Sequence, residues 1–516
     1  MEYSSCQKEI FRVYNTTNKN IVVNASPGSG KSFTMLELAK QTPAYKRCIF
    51  LAFNKSIAEE NKRKLPNYIN SSTLHSLGYK SLFKLVHSSR FMVNEIKTFI
   101  IARKRLTLAN EGQFKNEKAK NKYLFELSKI YDLYRINLVQ DKDELEELCM
   151  NYDIEVHDDT INDTWNLIQI MKEEDMKILN GKENMLDFTD MLWLTTYFPE
   201  DQFSKYDVAF LDECQDVNPL QKSLFEKIIK KNGRSVIVGD RKQMIYAFQG
   251  SNFQSFQDLL RRPNTIELPL DVSYRCSKKV IEASNLIFPD QVVYAYETNP
   301  LGTVRSGRFE EIDNGDFVLC RNNRPLVEMF IDLLKINKSA HIYGKDYGES
   351  LLKLLEEVEK MSDNEVKQYF DDKLKKTGDM LRSKGISNVT NHPQYVNLLE
   401  RIIILDILHK EFLTYRDVNE RIKSLFTDVV NGGITLMTCH KSKGLEADRV
   451  FFMNPELIPS PYAQSQNMLF AEKCLYYVAM TRARQELIYL GTSGVGVLRK
   501  EVIFDDNPSD SHLEIE

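Results

Sequence analysis

Short apolar runs alternate with longer amphipathic stretches in both halves of the chain. In the first half the runs cover residues 21–23, 47–52, 206–211 and 235–238. A second series begins near Pro269, and its runs cover residues 317–320, 341–343, 434–437, 450–453 and 487–490. Apolar runs of this length, separated by helical patterns, are typical of buried parallel strands. The pattern therefore predicts an α/β fold with two parallel sheets.

Two stretches interrupt this alternation. Strand signals are missing from residues 79–184 and 344–431, where charged residues follow a helical period. Because the α/β pattern resumes after each stretch, we interpret both as helical insertions within a sheet domain. The predicted organisation is a first domain at 1–78 and 185–265 with its insertion at 79–184, a second domain at 266–343 and 432–495 with its insertion at 344–431, and an acidic tail at 496–516.

The composition fits a globular protein with more than one core. The chain has 516 residues, of which 42% are hydrophobic and 28% charged, and its formal net charge is −4. This length exceeds that of a single core. The negative balance gives no global attraction to polyanions, so any nucleic-acid site must be a local groove. Residues 97–135 hold ten Lys or Arg against four Asp or Glu, which fits either a solvated helical face or a flank for a nucleic-acid backbone.

Cysteine usage and the N-terminal residues bear on the compartment. The eight cysteines are scattered without a Cys-x-x-Cys pair, so we expect a reducing, cytoplasmic compartment and neither a zinc nor an iron–sulfur site. The first residues lack the basic and apolar regions of a signal peptide, and no apolar run is long enough to cross a bilayer. No membrane association is expected.

One motif follows the first apolar run directly and precedes a helical stretch. It consists of Ala25, Ser26, Pro27, Gly28, Ser29, Gly30, Lys31 and Ser32. An apolar strand, a glycine-rich turn ending in Gly-Lys-Ser and a helix form a phosphate-binding P-loop, here with Ala25 where the general pattern has glycine. Backbone N–H groups would surround a phosphate, Lys31 would reach the β- and γ-phosphates, and Ser32 would bind Mg²⁺. The motif predicts a nucleotide site for ATP with Mg²⁺.

A pair of carboxylates ends the apolar run at 206–211. Asp212 would hold Mg²⁺ through its water shell, and Glu213 would orient and deprotonate the water that attacks the γ-phosphate. An acidic pair at a strand end is common. Here the P-loop upstream in the same predicted sheet favours a catalytic role for the pair. Arg275 and Arg482 are candidates for the cations that neutralise charge developing on the γ-phosphate, although a lone arginine is ordinarily a surface residue.

The ordered set of motifs closely resembles the superfamily 1 DNA helicases of the UvrD, Rep and PcrA type. Residues 53–58, 73–76 and 342–344 resemble most the branch that contains the F-box DNA helicases. Only six residues precede Gln7, so no F-box is expected before it. The implied fold is two RecA-like parallel-sheet motor domains, the first with a P-loop, each interrupted by a mainly helical insertion. The two insertions match those of the family only in position. The first corresponds to the 1B accessory domain and the second to a reduced 2B domain.

The resemblance extends the nucleotide site beyond the P-loop. Gln7 resembles the glutamine that reads adenine, and Tyr274 resembles the aromatic residue that stacks on it. Glu446 is similar to the residue that holds the ribose. All three would face ATP in a cleft between the two motor domains.

Four further residues resemble those that surround the phosphates. Gln243 is similar to the γ-phosphate sensor that couples hydrolysis to movement. Arg275 and Arg482 occupy the positions of the two arginine fingers, and Gly444 would lie near the γ-phosphate. Hydrolysis would then open the cleft that ATP closes.

The resemblance also implies stacking of bases on aromatic side chains. The matching positions are Phe53 and Phe248, and Tyr246 in the same motif as Phe248 is also expected to bind DNA. Phe248 stands where UvrD-type enzymes usually have tryptophan, and Gln249 replaces the usual arginine, which puts a local ion-pairing role in doubt. Phe53 and Phe248 are alternatively core residues.

Four more residues resemble those that contact the DNA backbone without reading its sequence. They are Thr73, His75, Thr438 and His440. Asn54, next to Phe53 in the same motif, is also expected to bind DNA. For His440 the alternative is a buried histidine with a structural role. Thr73 and His75 would contact DNA from the first motor domain, and Thr438 and His440 would make the matching contacts from the second.

The resemblance implies an ATP-dependent DNA helicase that moves 3′ to 5′ on single-stranded DNA and meets single/double-strand junctions. A monomer is expected, with replication or recombination proteins as candidate partners. Two alternatives stay open. The first alternative, favoured by the reduced second insertion, is a translocase that strips bound proteins and unwinds weakly. The second is a non-motor, nucleotide-dependent DNA-binding switch. The two candidate arginine fingers argue against the switch, which would not need them.

Overall fold

The computed structural model describes residues 3–491 except for short segments at 87–89, 110–111, 113, 115, 153, 155–157, 246–249, 359–360, 384–388, 392, 413–414, 429–431, 462 and 464–465. The chain divides into two compact units, the first ending at Asp271 and the second beginning at Val272. Each unit is built on its own parallel sheet. The predicted α/β class with two RecA-like sheets is confirmed, while the predicted acidic tail lies outside the described residues.

The first unit contains a six-stranded sheet in the order β3-β2-β6-β7-β1-β8, in which every pair is parallel. A separate two-residue pair joins β4 to β5. The strands are β1 (Asn20–Ala25), β2 (Cys48–Leu51), β3 (Ile69–Ser72), β4 (Met92–Val93), β5 (Met185–Leu186), β6 (Tyr206–Leu211), β7 (Ile229–Gly239) and β8 (Thr265–Leu270). The inner strands β1, β2 and β6 are almost continuously buried, as expected of a sheet covered on both faces.

Helices of the first unit either connect these strands or form the insertion. They are α1 (Ser5–Thr16), α2 (Lys31–Lys40), α3 (Lys55–Lys64), α4 (Leu74–Leu85), α5 (Lys97–Arg105), α6 (Glu117–Asn137), α7 (Lys142–Asn151), α8 (Asp158–Leu179), α9 (Asp190–Trp193), α10 (Pro219–Lys227) and α11 (Gly250–Leu260). Helix α4 runs across the predicted boundary at residue 78. Its Gly78 packs so closely on the Met191 carbonyl that a Cβ would lie 2.1 Å from that oxygen.

The last strand of the first sheet differs from the sequence prediction. Residues 266–271 were expected to open the second domain, but β8 pairs with β1 from Asn20–Thr265 to Ala25–Leu270. The strand includes Pro269, which has no N–H to donate. It is tolerated because β8 is an edge strand with a ladder on one side only.

Buried charges hold the first helical insertion to the segment between β5 and the end of α9. Arg135 on α6 is fully buried and donates to both Asp187 and Asp190, at 2.7 to 3.0 Å. Lys97 on α5 donates to Asp190 at 2.6 Å and is equally buried. Asp175 on α8 accepts from the Trp193 indole at 2.8 Å. Because an unpaired charge is costly in such an interior, these contacts fix the helices in one arrangement.

The second unit contains a seven-stranded parallel sheet in the order β11-β17-β16-β12-β15-β13-β14. A small parallel pair joins β9 to β10. The strands are β9 (Val272–Ser273), β10 (Tyr294–Ala295), β11 (Thr303–Ser306), β12 (Phe317–Cys320), β13 (Ala340–Tyr343), β14 (Phe426–Thr427), β15 (Ile434–Thr438), β16 (Ala447–Met453) and β17 (Ala483–Leu490). All five predicted strands are present, and the two edge strands β11 and β14 were missed.

The second helical stretch shares its core with this sheet. The helices of the unit are α12 (Lys278–Asn285), α13 (Asn323–Lys335), α14 (Lys345–Glu356), α15 (Asp363–Ser383), α16 (Pro393–Phe412), α17 (Tyr415–Leu425) and α18 (Gln466–Met480). One apolar cluster joins Leu355 of α14, Leu405 of α16 and Ile422 of α17 to Val318 and Ile342 of the sheet. A helical stretch this short buries most apolar surface by packing on an existing sheet. None of the helices in the described part is long and apolar enough to cross a membrane.

Candidate functional site

The P-loop joins β1 to α2 at the carboxyl edge of the first sheet. Gly28 and Gly30 have φ angles of 67° and 77°, in the left-handed region that favours glycine. The Ser29 hydroxyl donates to the Ser26 carbonyl at 2.7 Å, and both serines are buried. The loop is therefore closed by its own contacts. It leads into the first turn of α2, where backbone N–H groups have no partner within the helix.

Two side-chain contacts tie the start of α2 to the end of β6. The Lys31 ammonium donates to Glu213 at 3.0 Å, and the Ser32 hydroxyl donates to Asp212 at 2.8 Å. Glu213 has a φ of 51°, an uncommon left-handed backbone for a residue other than glycine. Its own N–H donates to Asp212 at 2.9 Å. Four predicted residues, separated by about 180 positions in the sequence, thus meet in one cluster.

The charges in this cluster depend on one another. Burial raises the pKa of Asp212 to about 6, and the neighbouring Glu213 carboxylate adds to the rise, while Lys31 opposes it. For Lys31 burial lowers the pKa, but the carboxylates of Glu213, Asp240 and Asp212 outweigh burial and raise it overall. Lys31 is accordingly held as a cation.

The Ser32 and Asp212 oxygens suit a magnesium ion, which prefers hard oxygen ligands. They lie 2.8 Å apart, and a hydroxyl with a carboxylate is the pair that P-loop proteins use for this ion. Among the described residues no three His, Cys, Asp or Glu side chains gather into a metal-binding group. An ion bound here would therefore need phosphate or water for its remaining ligands.

A hydrogen-bonded chain connects Glu213 to the predicted γ-phosphate sensor. Gln215 donates to Glu213 at 2.7 Å and accepts from the Asp240 N–H at 3.1 Å. Gln243 donates to the Asp240 carboxylate at 2.8 Å. Burial raises the pKa of Asp240, against the opposing charges of Lys31 and Lys242. Gln243 was predicted from the sequence, whereas Gln215 and Asp240 were not. Their only signal was their position directly after two predicted strands.

Gly239, the last residue of β7, lies close to the side chains of Cys214 and Gln215. A Cβ at this position would lie 2.7 Å from the Cys214 sulfur and 2.7 Å from the side-chain oxygen of Gln215. Such distances are shorter than real Cβ contacts, so a larger residue here would displace these side chains.

Gln7 lies next to the P-loop and is already engaged in hydrogen bonds. It is buried in the first turn of α1, where it forms a capping box with Ser4. Its side-chain amide donates to the Thr34 hydroxyl at 3.0 Å. A Cβ at Gly30 would be 3.8 Å from this same nitrogen. The structure thus brings Gln7 to the loop, and its reading of adenine stays a prediction.

In the second unit, Arg275 and Glu446 form a direct ion pair. Arg484 also approaches Glu446, at 3.8 Å, while its closer partner is Asp448 at 2.8 Å. The sequence predicts that Arg275 contacts a phosphate of ATP and that Glu446 contacts the ribose. In the structure these two side chains contact each other. Binding of a nucleotide in the predicted manner requires this pair to separate.

Arg482 is almost fully buried within the second unit, at 1% exposure. Its guanidinium donates to the Val478 carbonyl at 3.0 Å and to the Leu445 carbonyl at 3.2 Å. Leu445 follows Gly444, whose φ of 88° lies in the left-handed region. The hydrogen bonds place Arg482 beside the segment that holds Gly444 and Glu446.

Tyr274 forms an aromatic pair with Tyr296 inside the second unit. The ring centroids are 4.7 Å apart, at an interplanar angle of 40°. Tyr296 was not among the residues predicted from the sequence. A partner of this kind restricts the orientation of the Tyr274 ring, as a stacking platform requires.

Predicted DNA contacts of the first unit lie at the carboxyl ends of β2 and β3. Phe53 is exposed (59%), which favours a stacking surface over a core position. Asn54 and Thr73 cap α3 and α4, accepting from the N–H groups of Ile57 and Ser76. Burial lowers the pKa of His75. Tyr246, Phe248 and Gln249 lie outside the described residues.

The matching contacts of the second unit follow β15. Thr438 ends that strand and accepts from the Lys441 N–H at 3.4 Å. Burial, together with the positive charge of the nearby Arg321, lowers the pKa of His440 to about 3. Arg321 forms two-pronged hydrogen bonds with the buried Glu472, at 2.7 to 3.1 Å. His440 is therefore neutral, and its contact with DNA stays a prediction.

A parallel sheet, a glycine-rich loop before a helix, and an Asp-Glu pair at a neighbouring strand define the first unit as a P-loop nucleotide-binding fold. Residues 6–264 match the UvrD/REP helicase N-terminal domain, and residues 433–490 match the UvrD-like helicase C-terminal domain. The chain belongs to the UvrD/REP helicase family, within superfamily 1. The resemblance found in the sequence is thereby confirmed.

Two relatives match nearly the whole chain, and a third relative matches about a third of it. It is 25% identical to the F-box DNA helicase protein 1 of Schizosaccharomyces pombe over 94% of its own length and 57% of that protein. It is 24% identical to the probable DNA helicase II homolog of Mycoplasma genitalium over 90% of its length and 82% of that protein. Identity to an ATP-dependent DNA helicase Rep of Buchnera aphidicola is 25% over 32% of the chain and 25% of that protein. The chain thus spans little more than half of the first of these relatives.

Proposed function

We propose that the protein is an ATP-dependent DNA helicase that translocates 3′ to 5′ along single-stranded DNA. The observation that carries the proposal is the cluster of Lys31, Ser32, Asp212 and Glu213, which joins the P-loop to the end of β6. Family membership and the names of the relatives support DNA as the substrate. The direction rests on the resemblance to UvrD-type enzymes.

ATP binding would begin with an exchange of partners at the P-loop. Lys31 leaves Glu213 for the β- and γ-phosphates, which offer it more negative charge. The N–H groups at the start of α2 hold the phosphate chain. A magnesium ion, when bound through Ser32 and Asp212, would neutralise part of the phosphate charge. Glu213, released from Lys31, is then available as a base.

Hydrolysis would use Glu213 to accept a proton from the attacking water. Gln215 holds the Glu213 carboxylate from the other side and links it to Asp240 and Gln243. A change at the γ-phosphate therefore has a short hydrogen-bonded route to Gln243. We assign Arg275 and Arg482 as the cations that stabilise the transition state, each released from its present partners.

The proposed DNA contacts support a grip that does not read sequence. Phe53 offers an exposed ring for base stacking, and the capping residues Asn54 and Thr73 lie at the same edge of the first sheet. Thr438 and His440 would contribute the corresponding contacts of the second unit. Neutral His440 suits a hydrogen bond to phosphate or sugar without adding charge.

The first test measures ATP hydrolysis and strand separation with the same preparation. We expect single-stranded DNA to stimulate ATP turnover, and a duplex with a 3′ single-stranded tail to be unwound in preference to one with a 5′ tail. Turnover that DNA leaves unchanged would favour a nucleotide-dependent switch. Preference for the 5′ tail would contradict the proposed direction.

The second candidate function is a translocase that strips bound proteins and unwinds weakly. The packing of helices α14, α16 and α17 on the second sheet favours it, because these helices form one core with the motor sheet. A strand-displacement assay beside removal of streptavidin from a biotinylated oligonucleotide separates the two. Efficient duplex separation by the monomer would exclude the stripping-only alternative.

A further inference from the structure

A cavity of about 570 Å³ lies in the first unit, and neither the P-loop nor the Asp-Glu pair lines it. It opens between the edge strand β3 and the second half of helix α4. Arg47, which precedes β2, and Tyr206, which begins β6, line its far side. A volume of this size is typical of binding pockets. The cavity is therefore a candidate site that is separate from the nucleotide cluster.

The charged side chains of the cavity are all positive. They belong to Arg47, Lys80 and Lys84, and none of the described lining residues is Asp or Glu. Lys80 and Lys84 are exposed and form no ion pair with another described residue. Asp207 of β6 is paired with Lys230 at 2.7 Å and does not line the cavity. Because the whole chain has a formal charge of −4, this is a local positive region that suits an anionic partner.

Apolar and aromatic side chains form much of the remaining wall. Ile49 of β2, Leu77 of α4 and Phe203 are buried residues of this lining, and Phe83 is 43% exposed. A partner that fits both features carries negative charge and apolar side chains together. The predicted DNA contacts of this unit follow the carboxyl ends of β2 and β3, whereas Arg47 lies before β2. Both observations favour an acidic peptide over a nucleic-acid backbone.

The cavity also borders the edge of a sheet. Within the described part of the first unit, β3 pairs only with β2. Asn70, Ser71 and Ser72, three of the four residues of β3, line the cavity. Their side chains are short and polar, so an extended backbone can approach this strand closely. An edge of this kind accepts a peptide as an added strand, and neighbouring pockets select its side chains.

We propose that this cavity binds an extended acidic segment of another protein, which adds a strand beside β3. Apolar residues at every second position of the segment face the wall that contains Ile49 and Leu77. Carboxylates on either side of them pair with Arg47, Lys80 and Lys84. Because these pairs form at an exposed surface, raising the salt concentration weakens the contact. The nucleotide cluster contributes no lining residue, so this contact goes beyond the proposed helicase activity.

Selection of short random peptides on the immobilised full-length chain tests the chemistry of the partner. The Lys80→Glu/Lys84→Glu protein serves for counter-selection. We expect the selected peptides to carry Asp or Glu on both sides of apolar residues at alternate positions. Each should bind the wild type at least tenfold more tightly than the charge-reversed protein, as measured by fluorescence anisotropy. Failure to enrich any peptide over the charge-reversed protein, or enrichment of peptides without acidic residues, would overturn the proposal.

Two controls separate a specific site from general charge attraction. Lys19→Glu/Lys182→Glu changes two exposed lysines of the same unit outside the cavity and should leave peptide affinity unchanged. A selected peptide with lysine in place of its acidic residues should recover binding to the Lys80→Glu/Lys84→Glu protein. Equal weakening by both double variants, or absence of that recovery, would contradict pairing with Lys80 and Lys84.

Hydrogen–deuterium exchange on the full chain tests the added strand. A saturating selected peptide should slow exchange of the amides in residues 69–72 at least tenfold, and unchanged exchange there would reject the arrangement beside β3. Binding of a single-stranded oligonucleotide to both proteins tests the other class of anion. If Lys80→Glu/Lys84→Glu weakens oligonucleotide binding tenfold and leaves peptide binding unchanged, the cavity is a nucleic-acid site and the proposal is wrong.

Discussion

The ammonium of Lys31 and the carboxylate of Glu213 are joined by a 3.0 Å ion pair, although 182 positions separate them in the sequence. In the proposed reaction Lys31 binds phosphate and Glu213 accepts a proton from water. Each residue is therefore engaged by the other before a nucleotide arrives. Breaking the pair couples binding of the phosphate to release of the base, which would limit hydrolysis to sites that hold a nucleotide.

Glu213→Gln should abolish hydrolysis while preserving nucleotide binding. The amide keeps the size of the side chain but cannot accept the proton, so we expect kcat to fall by about 10²- to 10⁴-fold. Affinity for ATP should stay the same or rise, because Lys31 no longer has a carboxylate partner. Steady-state ATPase assays and binding of a labelled nucleotide measure the two effects. Glu200→Gln, an exposed carboxylate change in the same unit, is the control, and wild-type turnover by Glu213→Gln would refute the assigned base.

Arg275→Ala should lower the DNA-stimulated kcat by about 10³-fold or more, as expected for an arginine finger. The KM for ATP should change little, since the contact is proposed for the transition state. Arg484→Ala is the matched control because Arg484 approaches the same Glu446 at 3.8 Å. If both substitutions lower kcat equally, the charge balance around Glu446 accounts for the effect and Arg275 has no special role.

Arg135→Met should destabilise the first helical insertion by about 3–5 kcal/mol. The substitution leaves Asp187 and Asp190 buried without their guanidinium partner. Both tryptophans of the chain, Trp165 and Trp193, lie in this region, so their fluorescence during urea unfolding reports on it selectively.

Arg105→Met is the control for that experiment. Arg105 links α5 to Glu173 and Glu174 of α8, but its side chain is 30% exposed. Exposed pairs contribute at most ~1 kcal/mol. An equal loss of stability in both variants would show that burial of Arg135 is not the decisive factor.

Asp175 should make the insertion less stable as the pH rises from about 4 to about 6. Burial raises its pKa to about 6, Asp190 adds to the rise, and Lys97 opposes it. The folded state therefore holds a proton that the unfolded state releases near its ordinary pKa of 3.8, and this contribution to stability is lost above pH 6. A shift of about two units corresponds to at most ~3 kcal/mol.

Asp175→Asn should remove this pH dependence. The side-chain oxygen of Asn can still accept from Trp193 and Tyr197, as Asp175 does at 2.8 and 3.1 Å. Urea unfolding followed by tryptophan fluorescence at pH 4.5 and pH 7 should show the variant gaining stability relative to the wild type at the higher pH. A pH-independent difference between the two proteins would contradict the raised pKa.

The predicted strands were correct where apolar residues formed an uninterrupted run, as in β2 and β12. Such runs are fully buried, so their residues alone carry the signal. β8 was not predicted as a strand, and its residues were placed in the wrong domain, because Pro269 and alternating polar residues obscure an edge strand. β11 was missed for the same physical reason, since a strand with one neighbour needs less apolar surface.

Local sequence determined the P-loop, the Asp-Glu pair and the family, because each motif fits within a few residues of a strand end. Only the tertiary structure decided what these groups contact: Glu213 holds Lys31, Gln215 bridges Glu213 to Asp240, and Arg275 is paired with Glu446. Pairings between distant residues depend on strand order and on close side-chain packing such as that around Gly239. A sequence motif specifies the chemistry of a side chain, whereas its partner is set by the packing of the whole sheet.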